Sequence, residues 1–241
     1  MAYQSYAEDV FCHPQFEANR LALVYYKHPL NPACREEVQV TYGELQAGAA
    51  RCVGLFKELG IQKGDRVIVL VPLSRELYEI IFGLIQVGAV LVFLDAWTGL
   101  KDFDQACNIA QAKAFIGVSK AHGLRLASQH CARIPLKIFI DAPQIWRRLG
   151  IGGYHYESLW ATAIPDFDCV EVTPDDPMMV AFTTGSSGRP KGCVRTYDTV
   201  KASLASLARM RTTLGLGAVD GVSHSAELIM WPGLVMAAFP Y

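Results

Sequence analysis

Through the first 140 residues the apolar positions follow two alternating periods. Leu45, Ala49, Cys52, Val53, Phe56 and Leu59 recur at helical spacing, and Gly60 closes the run. Thr41 and Glu44 stand just ahead of it as a capping box, in which the hydroxyl and the carboxylate each satisfy a backbone N–H at a helix start. The pattern then predicts a buried strand over 66–71, a helix over 74–87 opened by Ser74 as N-cap, and a strand over 90–94. A helix over 100–112, a strand over 114–118, a helix in the 121–131 region and a strand over 136–140 follow. Such alternation predicts an α/β fold with a largely parallel sheet and helices on both faces.

The pattern lapses between Asp141 and Asp176, where Pro143, Gly150, Gly152, Gly153, Pro165, Pro174 and several aromatics show no clear period. This segment reads as a connection between two subdomains. The organisation expected is a first α/β subdomain over 1–140, a connecting segment over 141–174, and the start of a second α/β subdomain over 175–241. In the second, Met178 to Phe182 reads as a strand. Val200, Leu204, Leu207 and Met210 give a helix over 196–214, ended by Gly215 and Gly217.

Candidate chemistry lies directly behind that strand, in Thr183-Thr184-Gly185-Ser186-Ser187-Gly188-Arg189-Pro190-Lys191. Gly185 and Gly188 let the main chain turn tightly and bring its N–H groups close to an anion. The hydroxyls of Thr183, Thr184, Ser186 and Ser187 are donors to phosphate oxygens, Lys191 adds a compact positive charge, and Pro190 stiffens the approach to it. The run reads as a phosphate-holding loop. It is not a Walker loop, since two residues rather than four separate the glycines and Gly192 follows the lysine.

The stretch from Thr183 to Gly192 resembles the signature loop of the adenylate-forming (AMP-binding) superfamily, which includes acyl-CoA synthetases, luciferases and the adenylation domains of peptide synthetases. Val40-Thr41-Tyr42-Gly43-Glu44-Leu45, Gly64-Asp65-Arg66-Val67 and Gly88-Ala89-Val90 are similar in content and order to its N-terminal half. The resemblance implies the N-terminal part of that superfamily's large domain, with two successive α/β subdomains of which the second is incomplete. It implies ATP as cofactor with Mg2+, a carboxylic acid as substrate, and coenzyme A as one possible acceptor. The implied reaction is attack of a carboxylate oxygen on the α-phosphorus of ATP, giving an acyl-adenylate and pyrophosphate, followed by acyl transfer. The loop residues Thr183, Thr184, Gly185, Ser186, Ser187, Gly188 and Lys191 would hold the nucleotide. His224, and more weakly Trp231, would line an acyl pocket.

Ala114 to His122 and Phe182 to Ser186 look most like long-chain fatty acyl ligases and olefin β-lactone synthetases. Arg189 to Val194, followed by Ser225-Ala226, is similar to aryl-acid CoA ligases, so a fatty or aryl acid is expected. The chain also departs from the superfamily. Complete members are far longer and carry an aromatic-x-Thr-Glu segment for magnesium, a ribose-binding aspartate and a lysine on a small C-terminal domain. After Lys191 only Asp198, Asp220, Glu227 and Lys201 offer such side chains, none in the required context. No metal ligand or catalytic residue is assigned, and a partial member inactive by itself is expected. The alternative is a noncatalytic nucleotide-binding or interaction module.

Composition narrows the picture further. The 241 residues are 51% hydrophobic and 19% charged with a formal net charge of −1, against the clustered basic surface of a nucleic-acid binder. Seven cysteines, an odd number without a C-x-x-C pair, suit a reducing compartment better than a disulfide framework or a zinc site. The N-terminus lacks a basic region followed by an apolar core, and no apolar stretch reaches 18 residues, so the expected location is the cytoplasm. No Gly-x-Ser-x-Gly elbow is present. Gly215-Leu216-Gly217 opens like a dinucleotide fingerprint, but Asp220 stands where its third glycine belongs. Val92-Phe93-Leu94-Asp95 imitates a Walker B strand but precedes the loop.

Overall fold

The computed structural model describes residues 3, 5–14, 16–27, 34–94, 99–141, 146, 153–184 and 189–213. A short helix α1 (Tyr6–Phe11) leads to an antiparallel pair, β1 (Leu21–Lys27) and β2 (Glu36–Thr41). Helix α2 (Tyr42–Glu58) follows at once, opened as the sequence predicts. Thr41 Oγ1 accepts from the Glu44 N–H at 3.2 Å, and Glu44 Oε2 accepts from the Thr41 N–H at 2.8 Å. Removing the hydroxyl in Thr41→Ala is expected to cost about 1 kcal/mol. A lower denaturation midpoint at unchanged m-value would record it; an unchanged midpoint would mean the box adds nothing here.

The alternation continues through β3 (Arg66–Leu70), α3 (Arg75–Gln86), β4 (Val90–Phe93), α4 (Leu100–Ala110), β5 (Ala114–Gly117), α5 (Ser119–Ala127), α6 (Gln129–Ala132) and β6 (Leu136–Phe139). Ser74 caps α3 as expected, its hydroxyl accepting from the Leu77 N–H. One difference lies in the 121–131 region, where two helices replace one. Ser128 is extended (φ −95°, ψ 128°) and its hydroxyl both caps α6 and donates to Asp104 Oδ1 at 2.6 Å. That bond to α4 holds the chain out of helix.

The connecting segment contains β7 (Tyr154–His155) and α7 (Tyr156–Thr162), which the sequence did not announce. The stretch after α7 is tied down by backbone and charge rather than by an apolar period. Asp166 N–H bonds to Ala50 O and Val170 N–H to Gln86 O, while Lys57 pairs with Asp166 at 2.6 Å and Lys63 with Asp176 at 2.7 Å. The last described elements are β8 (Pro177–Thr184), β9 (Pro190–Thr196) and α8 (Tyr197–Thr213).

Among the described residues, seven strands form one sheet in the order β7-β6-β5-β3-β4-β8-β9, parallel throughout except for β9, which runs antiparallel to β8. The boundary expected at 175 is thus not a sheet boundary, because β8 hydrogen-bonds to β4 in register Leu91 to Met179. Alternate strand residues feed two cores. Val67, Val69, Leu91, Ile116, Ile138 and Met179 join α2 and α3 on one face; Ile68, Val90, Val92, Phe115, Val180 and Phe182 join α4 on the other. Burial on both faces explains why the strands read as continuous apolar runs. Among the described residues no helix is long and apolar enough to cross a membrane.

Candidate functional site

The strand expected at Met178 to Phe182 extends to Thr184, and the chain returns along β9, a strand absent from the sequence expectation. The two form a hairpin in which Thr183 pairs with Lys191 and Thr184 with Pro190. Gly192 lies opposite Phe182, and a Cβ there would stand 3.1 Å from Phe182 Cζ and 3.0 Å from Val180 Cγ1. Glycine at that position therefore lets the Phe182 ring cover the neighbouring strand. With Gly192 on the Phe182 side, the two-residue period places Lys191 on the other side of the hairpin.

Lys191 and Arg189 are exposed, and neither makes a hydrogen bond or ion pair with another side chain among the described residues. Two cations thus stand at and just before the start of β9, without a carboxylate among the described residues to neutralise them. Gly185, Ser186, Ser187 and Gly188 lie outside the described residues, as do His224 and Trp231, and Thr183 and Thr184 are placed by their backbone alone. Cys193, read as a small residue behind the loop, is exposed on β9.

Strand β8 delivers Thr184 to the carboxyl edge of the parallel strands, where open α/β sheets receive their ligands. Two helices that begin at this edge are already capped by the chain itself. Ser74 caps α3, and Asp141 Oδ1 accepts from the Ser119 N–H at 2.6 Å at the start of α5. Helix α4, which follows β4 next to β8, begins at Gly99 without a side-chain cap. Helix α8 starts at the opposite end of the hairpin, since Pro177 pairs with Thr196 and the Tyr197 N–H bonds to Asp176 O. With β8 spanning eight residues, its amino end is about 25 Å from Thr184. The α8 dipole does not address an anion held there.

Glu79 and His122 are among the buried polar groups that the sequence did not announce, because nothing local marks them. Glu79, 2% exposed between α2, α3 and α7, accepts from Arg75 Nε at 2.6 Å and from the Tyr156 hydroxyl at 3.3 Å. Burial drives its carboxyl up to about 7, against the pull of Arg75. His122 is fully buried and stacked on Phe139 with ring centroids 3.5 Å apart. Its Nε2–H donates to Ile138 O at 3.0 Å and its Nδ1 accepts from Arg125 Nε at 3.1 Å, the only tautomer both partners allow. Burial holds this imidazole down at about 4, so it is neutral. Both groups lie within the packed core and belong to its architecture. Among the described residues no three His, Cys, Asp or Glu side chains converge as a metal site.

The sequence matches the AMP-binding enzyme family over residues 15–239. A long-chain-fatty-acid–CoA ligase of Mycobacterium tuberculosis is 29% identical over 174 residues, 71% of this chain and 32% of that relative. An olefin β-lactone synthetase of Stenotrophomonas maltophilia is 30% identical over 159 residues, 66% of this chain and 28% of that relative. Among solved structures, ATP-bound MatB from Rhodopseudomonas palustris superposes with a TM-score of 0.72 at 20% identity, over 96% of this chain and 42% of that one; the likeness shows the fold. The chain spans about a third of the length of the curated relatives it matches. With a family match across most of its residues and a largely parallel sheet as expected, this chain belongs to the AMP-binding enzyme family.

Proposed function

We propose that this chain supplies the nucleotide-holding part of an enzyme that activates a carboxylic acid with ATP. The acid's carboxylate oxygen attacks the α-phosphorus, giving an acyl-adenylate and pyrophosphate, and the acyl group passes to a thiol such as that of coenzyme A. A fatty or aryl acid is the proposed substrate; the fatty-acyl and β-lactone relatives support the fatty acid, and the resemblance of Arg189 to Val194 to aryl-acid ligases supports the aryl acid. The observation that carries this reading is Lys191, an exposed cation without an ion-pair partner among the described residues, fixed by strand register against Thr183 where the hairpin opens.

In this reading Thr183, Thr184, Gly185, Ser186, Ser187, Gly188 and Lys191 hold the triphosphate. The donor set fits an anion: main-chain N–H groups, hydroxyls and one ammonium, with no carboxylate among them. ATP supplies the activating phosphoryl centre and the pyrophosphate leaving group; magnesium accompanies it as counter-ion, with no ligand assigned among the described residues. The chain's own part is to bind and orient the phosphates, so that oxygen and phosphorus meet in line.

Lys191→Ala is expected to weaken ATP binding by about 1 to 3 kcal/mol, the value of a charge-assisted hydrogen bond. Isothermal titration of ATP into the purified wild-type and variant chains measures it. Equal affinities would remove Lys191 from the site. Pyrophosphate release across a panel of fatty and aryl acids then separates an adenylating enzyme from a module that only binds the nucleotide.

A further inference from the structure

Arg125 carries its charge into the interior: it stands in the last turn of α5 and is only 3% exposed. Its Nε–H donates to His122 Nδ1 at 3.1 Å, one turn back along the helix. That acceptor is rigidly held, since His122 stacks on Phe139 and donates to Ile138 O at 3.0 Å. The bond fixes the guanidinium without neutralising it, because the imidazole is itself uncharged. Burial is the leading influence on Arg125 and draws its pKa below the ordinary value, yet a guanidinium remains charged.

The usual means of balancing such a charge are missing among the described residues. Arg125 forms no ion pair there and lies over no aromatic ring, and its two amino groups make no hydrogen bond. Two carboxylates near α5 are engaged elsewhere. Asp104 of α4 accepts from the Ser128 hydroxyl at 2.6 Å and from the His130 N–H at 3.0 Å, and meets His130 Nδ1 at 2.8 Å. Asp141 accepts from the Ser119 N–H at 2.6 Å and from its hydroxyl at 2.9 Å. Because the side chain reaches back to His122, it also leaves the terminal carbonyls of its own helix, where a cation would gain from the dipole. A buried charge in this condition is strongly unfavourable, and an anion taken from solution balances it. The open edge of the guanidinium is a planar fork of N–H donors that matches two oxygens of an oxyanion.

We propose that Arg125 is the receptor of a small-anion site at the junction of α5 and α6, which takes a free oxyanion of the inorganic phosphate class. The amino groups bind two oxygens of the ion, and His122 is the positioning residue that holds the fork toward it. The near-closure of the site admits a small ion and rejects a bulky ester. The site is separate from the loop at Thr183 to Lys191, since α5 packs on β5 and three strand positions divide β5 from β8. Ion and guanidinium together stabilise the folded chain in step with the concentration of the ion.

The test is made in Lys191→Ala, which weakens the loop as a second place for phosphate. Inorganic phosphate is titrated in the millimolar range at constant ionic strength, with chloride as balance, and melting is followed with and without Arg125→Gln. The melting temperature should climb with the logarithm of phosphate concentration while Arg125 is present. Arg125→Gln should raise the phosphate needed for a given shift by about tenfold or more. Glutamine keeps an N–H for His122 and removes the charge and the fork, so without phosphate the variant should melt no lower than its parent. Phenyl phosphate should give no shift through Arg125. Equal phosphate responses with and without Arg125→Gln overturn the proposal, as does a parent that phosphate leaves unshifted. A variant that melts lower without phosphate, or fails to fold, also overturns it, because the guanidinium would then serve the chain itself. An Arg125-dependent shift with phenyl phosphate equal to that with phosphate rules out a site for the small free ion.

Discussion

Gly83→Val is expected to lower the unfolding free energy by about 3 kcal/mol or more, the upper range for forcing volume into a packed helix contact. A Cβ at Gly83 would lie 2.5 Å from Cys52 Cβ, 3.2 Å from Phe56 Cε2 and 3.3 Å from Ala49 O. Cys52 Cβ is one bond from the backbone and cannot swing aside, so α2 and α3 would have to part. That contact carries much of one core, with Cys52, Val53, Phe56, Ile80 and Leu84 all buried in it. Alanine distinguishes the cause. Helix propensity alone would make Gly83→Ala stabilising by about 1 kcal/mol, whereas the clash makes it destabilising. Gly123 in α5, where an added methyl would meet no described atom within 4 Å, is the control in which propensity should win. Urea midpoints of the two alanine variants should therefore move in opposite directions; movement together would refute a close approach of α2 to α3.

Stability should respond to pH through two buried groups that oppose each other. The folded Glu79 carboxyl titrates near 7 rather than 4.5, so below 7 the folded chain keeps a proton that the unfolded chain has lost. Its contribution is fully present below 4.5 and is lost as pH rises to about 7. His122 titrates near 4 rather than 6.5 when folded, so its contribution is present above 6.5 and is lost as pH falls toward 4. Each displacement corresponds to about 3 kcal/mol at full extent. Across 4.5 to 6.5 the two nearly cancel, and the wild-type profile is expected to be flat there. Glu79→Gln keeps an acceptor for Arg75 and Tyr156 but removes the titration. Its stability should climb with pH through that window by roughly the His122 contribution. Denaturant titrations at half-unit pH steps measure both curves, and parallel profiles for wild type and variant would show that Glu79 is ionised throughout.

Much of the fold was legible because its cause is local. Thr41 and Glu44 form their capping box from residues three apart, Ser74 caps its own helix, and strands buried on both faces carry continuous apolar runs. The elements that were not legible depend on distant partners. Strand β9, Pro-Lys-Gly-Cys-Val-Arg-Thr, has a largely exposed edge-strand pattern and exists because β8 offers it a ladder. Strand β7 is two residues held by β6, and Ser128 breaks a helix because Asp104 lies within reach. That Thr183 to Lys191 holds phosphate is the proposal that Lys191→Ala tests; that glycines, hydroxyls and a lysine gather there was legible in the sequence. That Lys191 stands on a returning strand of a hairpin, rather than at a helix start, was not.

By itself the sequence determined the succession of α2, β3, α3, β4, α4, β5, β6 and β8, the caps of α2 and α3, and the family, all of which follow from residues near one another along the chain. Tertiary structure alone decided that β8 joins β4 in a single sheet and that α8 begins at the far end of the hairpin from the loop. It also decided that Glu79 and His122 are buried. The physical reason is common to all of these: strand neighbours and burial are set by contacts between residues tens of positions apart, and periodicity along the chain carries no record of which distant segment fills the other side.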